Sequence, residues 1–256
     1  MLAFQAPSLA LLATEPLRAV LEFCSAKVAS LSTVEGDGHP VIVYPGLGAG
    51  ALTTAQLRSH LASCNFQVHD WDRGVNTGPD GVLDAWLPCL VERVAELHAR
   101  HGRRVSLVGW SLGGIYAREI AKSCPDSVRQ VITLATPHRS IGGANHAGTI
   151  FKWMGGDTSQ LTPELQERLA QRPPVPTTSI YSKTDGIVSW RGCLEDPAED
   201  VENIAVDASH LGMPTHPDVL RIVAQRLAQP EAGWRPYRRR RTALRSPTTA
   251  PSRTRK

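Results

Sequence analysis

Residues 105–114 read VSLVGWSLGG, a run of β-branched and leucine side chains that ends in a serine enclosed by glycines. Serine is a poor interior residue for a strand or a helix, and glycine weakens both elements. The stretch Gly109–Gly113 fits the pattern G-x-S-x-G, with a strand pattern before it and a helix pattern after it. The pattern therefore predicts a tight, strained turn that exposes Oγ of Ser111. The alternative is a serine that only caps a helix.

Outward from this turn, apolar strand patterns alternate with helical patterns. The strands show little polar alternation, as expected for a parallel sheet that is buried on both faces. We predict an α/β fold in which a mostly parallel central sheet of about six strands carries helices on both faces. The predicted strands lie at 41–44, 65–72, 104–110, 128–136, 177–182 and 201–206, and the main predicted helices at 53–63, 82–100, 112–124, 163–170 and 216–228.

Charge divides the chain into three predicted parts. Nine of the 28 basic residues fall within 235–256, where no acidic residue occurs, which leaves 19 basic and 24 acidic residues elsewhere. We predict a helical leader over 1–38, a globular domain over 39–233 and a basic, disordered tail over 234–256. The tail is expected to be solvated. A weak contact with an anionic surface is the alternative, and specific recognition of nucleic acid is not expected.

Several classes of protein are not indicated by the composition. The cysteines are odd in number and never form a CxxC pair, which argues against a zinc site and against a disulfide framework. No stretch reaches the roughly 18 apolar residues that a membrane-spanning helix needs. The first apolar run lacks a basic flank and stops at Glu15 and Pro16, which favours a surface helix over a signal peptide. We expect a cytoplasmic protein.

The serine turn, with its flanking strand and helix, resembles that of the α/β-hydrolase superfamily, and the chain is similar to small bacterial lipases and esterases over roughly residues 39–228. The resemblance implies the chain order serine, acid, histidine, with the acid after a late strand and the histidine after the last strand. Asp185 follows the fifth predicted strand, and His210 follows the sixth. Because the carboxyl ends of parallel strands meet at one sheet edge, Ser111, Asp185 and His210 are predicted to converge there.

The two partners of Ser111 each have a plainer alternative. Asp185 stands in Thr-Asp-Gly, which is good turn chemistry in any protein, and His210 also suits an exposed loop. In the predicted role, His210 takes the proton of Ser111 while Asp185 fixes the imidazole tautomer. The weaker rivals are the acids Asp207, Glu195 and Asp196 and the histidine His216, which is better placed to start the last helix.

The resemblance also assigns an oxyanion hole to the backbone N–H groups of Leu47 and Leu112. Relatives often carry His-Gly-x where this chain has Pro45-Gly46-Leu47, but proline changes only a side chain and leaves the amide of Leu47 intact. A phosphate-binding loop is not indicated, because the stretch lacks the lysine and hydroxyl residue of a P-loop. Possible pocket residues are Trp110, His138, Arg73 and Asn76. For the last three, support of an ordinary loop is the alternative.

Residues 141–172 lie between the fourth and fifth predicted strands, where this superfamily commonly inserts a cap. We predict a small cap there. Its apolar cluster either covers an acyl pocket or forms an ordinary packed helix, and consists of Ile150, Phe151, Trp153 and Met154. A thin cap leaves the site open, which favours a small-molecule or lipid ester as substrate.

The resemblance therefore implies a serine esterase or lipase that works through an acyl-enzyme and needs no metal or organic cofactor. Two alternatives stay open. The first is an acyltransferase that uses the same acyl-enzyme, and the second is a hydrolase-fold binding module without catalysis. The presence of all three residues in register, Ser111, Asp185 and His210, argues against the binding module.

Overall fold

A computed structural model describes residues 5–28, 34–141 and 161–237 of the chain. The strands are β1 (Pro40–Tyr44), β2 (Gln67–Asp70), β3 (Val105–Trp110), β4 (Val128–Leu134), β5 (Thr177–Ser182) and β6 (Val201–Val206). They form one sheet in the order β2-β1-β3-β4-β5-β6, and every neighbouring pair is parallel. The predicted fold class, a parallel sheet of six strands with helices around it, is confirmed.

Helices cover both faces of this sheet. They are α1 (Leu9–Val28), α2 (Ala51–Ser63), α3 (Leu83–Trp86), α4 (Pro88–His101), α5 (Leu112–Ser123), α6 (Pro163–Ala170) and α7 (Pro217–Leu227), with short 3-10 helices at Pro125–Ser127 and Trp190–Cys193. Two separate apolar clusters fill the spaces between sheet and helices. Residues of α1, α2 and α7 contribute to one cluster, and residues of α3, α4, α5 and α6 contribute to the other.

The continuous apolar pattern of the strands follows from this layering. In β1, Val41 and Val43 point into the cluster beneath α2 and α7, whereas Ile42 and Tyr44 point into the cluster beneath α4 and α5. All four side chains are fully buried. Since successive side chains of a strand alternate between faces, a strand that is covered on both faces favours apolar residues at successive positions, as in β1.

The prediction of one continuous helix over 82–100 is wrong. The segment forms two helices, α3 and α4, which meet at Leu87. Pro88 lacks a backbone N–H, and its ring would collide with the carbonyl four residues earlier, so it begins a new helix more readily than it continues one. Helix α4 ends at Gly102, whose φ of 61° is the left-handed conformation that favours glycine.

The sheet order places two loops side by side at one edge. Strand β1 lies between β2 and β3. The chain therefore passes from β1 to β2 on one side and then crosses back to β3 on the other side of β1. In open parallel sheets, the crevice at such a switch point is where ligands bind. The glycine-rich loop after β1 and the serine turn after β3 both open onto this crevice.

Parts of the predicted domain organisation fall on residues whose structure is not described. Of the predicted cap, residues 142–160 with their apolar cluster lie outside the described residues, and α6 belongs to the described remainder. Residues 238–256 of the predicted tail also lie outside. At the described start of that tail, Arg226 donates to the carbonyl of Arg235 at 2.7 Å and the N–H of Tyr237 donates to Glu202 at 2.5 Å. Within the described ranges, no helix has both the length and the apolarity to cross a membrane.

Candidate active site

The turn between β3 and α5 has a strained backbone at Ser111. Its φ of 53° and ψ of −119° are rare for any residue other than glycine. The N–H of Ser111 donates to the carbonyl of Leu134 at 2.8 Å, and its carbonyl accepts from Oγ1 of Thr136 at 3.0 Å. The end of β4 therefore holds the turn in this conformation.

Close packing accounts for the three glycines around Ser111. A Cβ at Gly109 would lie 2.4 Å from the carbonyl oxygen of Gly113, and one at Gly113 would lie 2.4 Å from that of Tyr44. A Cβ at Gly114 would lie 1.9 Å from Oγ1 of Thr136. These distances are far below van der Waals contact. The glycines thus let α5 start directly against β1 and β4.

The structure brings the three predicted residues Ser111, His210 and Asp185 into one chain of hydrogen bonds. Oγ of Ser111 lies 3.0 Å from Nε2 of His210, and Nδ1 of His210 lies 2.7 Å from Oδ2 of Asp185. The three residues follow β3, β6 and β5 respectively, so they meet at the carboxyl edge of the sheet. All three are buried, and Ser111 keeps 8% of its surface exposed.

The Asp185 carboxylate is oriented by its own loop. Its Oδ1 atom accepts hydrogen bonds from the N–H groups of Ile187 and Val188, each at 2.8 Å. Its Oδ2 atom is thereby left for His210. Backbone donors of this kind fix the orientation of a carboxylate.

The backbone of His210 is held at both its N–H and its carbonyl. The N–H donates to Oε1 of Glu15 at 3.0 Å, and the carbonyl accepts from Nε1 of Trp110 at 3.1 Å. Burial disfavours the imidazolium, but the charge and hydrogen bond of Asp185 and the charge of Glu15 outweigh burial and raise the pKa of His210. The imidazole of His210, next to Ser111, is thus paired on its other side with the Asp185 carboxylate, which stabilises the imidazolium.

The loop after β1 lies against the serine turn. A Cβ on Gly46 would be 3.3 Å from Cβ of Ser111, which is closer than most Cβ contacts, so this loop packs tightly against the side chain. Among the residues that the structure describes, the N–H groups of Leu47 and Leu112 donate to no protein acceptor. Leu112 is the first residue of α5, where the helix dipole favours negative charge.

Asn76, one of the predicted pocket residues, holds this loop in place. It is fully buried, its Nδ2 donates to the carbonyl of Pro45 at 2.7 Å, and its Oδ1 accepts from the hydroxyl of Tyr116 at 3.1 Å. Its backbone carbonyl also accepts from the N–H of Gly48 at 2.7 Å. Asn76 therefore braces the residues on both sides of Leu47.

The other predicted pocket residues have different surroundings. Trp110 is buried and contacts His210, with its ring centroid 6.0 Å from the imidazole. Arg73 lies on an exposed loop above the ring of Trp86. The side chain of His138 is fully buried beside the ion pair of Arg118 and Glu195, which favours the alternative of loop support over a place in the pocket. Burial, aided by the charge of Arg118, holds the pKa of His138 well below its ordinary value, so it is a neutral support of its loop.

The rival residues all have other partners. Asp207 accepts from Oγ1 of Thr184 at 2.8 Å, and Glu195 pairs with Arg118. Asp196 forms a bidentate pair with Arg139 at 2.7 and 2.9 Å. His216 caps α7, where its Nδ1 accepts from the N–H of Asp218 at 3.2 Å.

A second chain of the same residue types lies in the interior. Nε2 of His39 is 2.7 Å from Oγ of Ser106, and Nδ1 of His39 is 2.5 Å from Oδ1 of Asp37. Ser106 and His39 are both fully buried, and Ser106 stands in the middle of the sheet on β3. The connectivity alone therefore does not define a site. Ser111 differs because it sits on a strained turn at the sheet edge beside unpaired N–H groups.

Three residues of α1 contact the site, and the sequence analysis missed them. Glu15 accepts from the N–H groups of Gly186, His210 and Leu211, and Glu22 accepts from the N–H and Oγ of Ser209. The guanidinium of Arg18 donates to the backbone carbonyl and to the hydroxyl of Thr184. The sequence signal for these contacts was a glycine after Asp185 and another after His210. A Cβ at Gly186 would lie 2.6 Å from the backbone of Leu11, and one at Gly212 would lie 1.7 Å from Glu22.

Within the described part of the chain, no group of three or more His, Cys, Asp or Glu side chains is arranged to hold a metal ion. The described site combines free backbone N–H groups with an imidazole that is paired to a carboxylate, and these are groups that acyl transfer uses.

The parallel sheet with a serine turn after β3 defines this chain as an α/β-hydrolase. Residues 40–183, more than half of the chain, match the sequence profile of the family described as palmitoyl protein thioesterase. The chain belongs to this palmitoyl protein thioesterase family.

Individual relatives are more distant. The chain is 28% identical over 133 residues to the pimeloyl-[acyl-carrier protein] methyl ester esterase of Aliivibrio salmonicida, which covers 52% of this chain and 48% of the relative. The enzyme of the same name from Aeromonas hydrophila is 26% identical over 166 residues, and the match covers 64% of each chain. The chain thus spans about half the length of the first of these relatives.

Solved structures share the fold at low identity. Lipase B of Aspergillus fumigatus superposes with a TM-score of 0.58 at 17% identity, over 78% of this chain and 55% of the lipase. The mature lipase BlEst2 of Bacillus licheniformis gives a TM-score of 0.59 at 15% identity, over 78% of this chain and 96% of the lipase. These likenesses, each over 78% of this chain, support the fold assignment.

Proposed function

We propose that this protein is a serine hydrolase that cleaves carboxylic esters or thioesters through an acyl-enzyme. One observation carries the proposal: an unbroken chain of hydrogen bonds runs from Oγ of Ser111 through His210 to Asp185 at a strained turn. The membership in a family described as a thioesterase, and the methyl ester esterases among the relatives, support the substrate class.

In the first half-reaction, His210 takes the proton of Ser111 while Oγ attacks the carbonyl carbon. The carbonyl oxygen becomes an oxyanion, which the N–H groups of Leu47 and Leu112 stabilise. The imidazolium is stabilised by Asp185, and it then protonates the leaving alcohol or thiol as the bond to the acyl carbon breaks. The product is an ester between the acyl group and Ser111.

In the second half-reaction, His210 deprotonates a water molecule, which attacks the acyl carbon of the acyl-enzyme. The same two N–H groups stabilise the second oxyanion. Collapse of this intermediate returns the proton to Oγ of Ser111 and releases the carboxylic acid. The strained φ of Ser111 contributes by holding Oγ between the imidazole and the two donors.

The test is hydrolysis of p-nitrophenyl esters from acetate to palmitate, together with thioesters of the same acids. Ser111→Ala is expected to lose turnover by about 10³-fold or more, because the nucleophile is absent. Ser106→Ala is the matched control, since it removes the same hydroxyl from the buried His39 chain and leaves the site untouched. We expect its turnover to stay within a few-fold of the wild type.

Equal losses in the two variants would show that unfolding, and not chemistry, causes the effect. Retained turnover in Ser111→Ala would overturn the proposal. Added alcohols and amines separate hydrolysis from acyl transfer. An ester or amide product that grows in proportion to the acceptor, at the expense of free acid, would show that the acyl-enzyme serves a transferase.

A further inference from the structure

A buried carboxylate of α1 joins the two loops that carry the acid and the base. Oε1 of Glu15 accepts from the N–H of Gly186 at 2.7 Å and from the N–H of His210 at 3.0 Å. Its Oε2 accepts from the N–H of Leu211 at 3.0 Å. One oxygen is therefore shared between the residue after Asp185 and the base itself.

The burial of Glu15 is unusual for a carboxylate. Only 1% of its surface is exposed, and its hydrogen bonds come from backbone N–H groups. A buried carboxylate is costly unless such donors satisfy it. In turn, the three N–H groups would be left without their acceptor if the carboxylate were lost.

The loops are built to receive α1 at this point. A Cβ on Gly186 would lie 2.6 Å from the backbone of Leu11, one turn before Glu15. Only glycine lets the Asp185 loop approach the helix so closely. On the other loop, Glu22 holds Ser209, the residue before His210, through two hydrogen bonds of 2.8 and 2.6 Å.

We propose that Glu15 is a positioning residue for the base His210, and that α1 thereby contributes to the activity of the site. This inference rests on the proposed function, in which His210 is the base. Glu15 fixes the backbone N–H of His210 while Trp110 fixes its carbonyl, so the imidazole is anchored from both ends of its residue. A shift of about 1 Å in such a group costs on the order of 100-fold in rate.

Glu15 also acts on His210 through its charge. The groups that surround His210 and its loop are Asp185 from the β5 loop, Glu15 and Glu22 from α1, Arg18 at Thr184, and Asp207. Among these groups, Asp185 and Glu15 raise the pKa of His210 against the effect of burial. Removal of the Glu15 charge is therefore expected to lower the pKa of His210.

The experiment compares Glu15→Gln, Glu15→Asp and a control in the full chain. Glu15→Gln keeps the shape but loses the charge and turns one acceptor into a donor. We expect kcat to fall about ten-fold or more with little change in KM. The pKa of His210, followed by NMR of its imidazole, should fall, because one of the two anions that raise it is removed. Glu15→Asp keeps the charge at a shorter reach, so it should lower kcat while the pKa stays near the wild-type value.

Glu202→Gln is the matched control. Glu202 is also a buried carboxylate that accepts a backbone N–H, from Tyr237, but it lies near the start of β6, away from the site. The Glu202→Gln variant should be less stable than the wild type, with unchanged kcat and an unchanged pKa of His210. A Glu15→Gln variant that behaves in the same way, with lower stability but unchanged kcat and pKa, would overturn the inference.

The NMR measurement separates this inference from the proposed function, because it needs no substrate. If the wild type hydrolyses none of the esters and yet Glu15→Gln lowers the pKa of His210, the proposed function fails and the contact of Glu15 with His210 stands. If the wild type is active and Ser111→Ala is not, an unaltered kcat and pKa in Glu15→Gln count against Glu15 alone. Should Glu15→Gln not fold, Glu15→Asp decides, since an unchanged kcat there would contradict the positioning role.

Discussion

Nε2 of His39 lies 2.7 Å from Oγ of Ser106, which is shorter than the 3.0 Å between Nε2 of His210 and Oγ of Ser111. The shorter contact belongs to the chain without access to substrate, since both of its members are fully buried within the sheet. The two chains also differ in pKa. Burial lowers the pKa of His39 to about 4, although Asp37 opposes this, whereas the partners of His210 raise its pKa.

The first prediction concerns acid stability. His39 is neutral when folded and has an ordinary pKa when unfolded, so its contribution is complete above about pH 6.5 and is lost as the pH falls toward 4. This histidine should reduce the free energy of unfolding by up to about 3 kcal/mol across that window. Urea unfolding at a series of pH values measures the loss.

The control for this prediction is His39→Gln, which cannot titrate and should show a flatter profile between pH 6.5 and 4. Asp37 contributes in a separate window. Burial acts against its charged form, but hydrogen bonds from Arg129 and His39 hold its pKa well below the usual range, so its contribution is lost only at more acidic pH. Equal slopes in wild type and His39→Gln would contradict the assignment of this effect to His39.

The second prediction concerns Asn76, which holds the loop after β1 in place. Asn76→Ala leaves the carbonyl of Pro45 and the hydroxyl of Tyr116 without their partner, which should destabilise the fold by about 1–3 kcal/mol. Because the N–H of Leu47 would no longer be held in place, kcat should also fall by about ten-fold. Thermal unfolding and steady-state kinetics at a temperature well below both transitions measure the two effects.

Thr77→Ala is the neighbouring control, because Thr77 is exposed and the structure gives its side chain no role in the loop. Its kcat and stability should match the wild type. A loss of stability in Asn76→Ala with an unaltered kcat would mean that Leu47 does not depend on this brace.

The third prediction concerns the pH dependence of ester hydrolysis. The base must be neutral to accept the proton of Ser111, so kcat/KM should rise with pH along an acid limb. Because the pKa of His210 is raised, the midpoint of that limb should lie above the ordinary value for histidine. Asp185→Asn should move the midpoint to lower pH and reduce kcat by about 10⁴-fold, since the anion behind the imidazole is gone.

A pH–rate profile of both forms on one p-nitrophenyl ester measures this shift, and circular dichroism over the same pH range guards against unfolding. An Asp185→Asn profile with the same midpoint as the wild type would remove Asp185 as the cause of the raised pKa.

The sequence determined the sheet and the order of its site residues. Strands buried on both faces favour apolar residues at successive positions, so they can be recognised from a short stretch of sequence, as in Val41, Ile42 and Val43. The glycines of the serine turn could also be interpreted from the sequence. A strand that runs directly into a helix brings the start of the helix close to the sheet, and this close approach requires glycine. The positions of Asp185 and His210 after β5 and β6 then followed from the rule that parallel strands share a carboxyl edge.

Only the tertiary structure decided what surrounds those residues. Asn76 and His138 were predicted as pocket residues from the position of their loops at the sheet edge, whereas in the structure both are buried, Asn76 beside Tyr116 and His138 beside the ion pair of Arg118 and Glu195. The orientation of α1 runs against its pattern, since Leu17, Val20 and Leu21 are exposed whereas Glu15 is buried. An amphipathic pattern records which side chains are apolar. It does not record that three backbone N–H groups, from loops far along the chain, donate to the carboxylate of Glu15 and satisfy it in the interior.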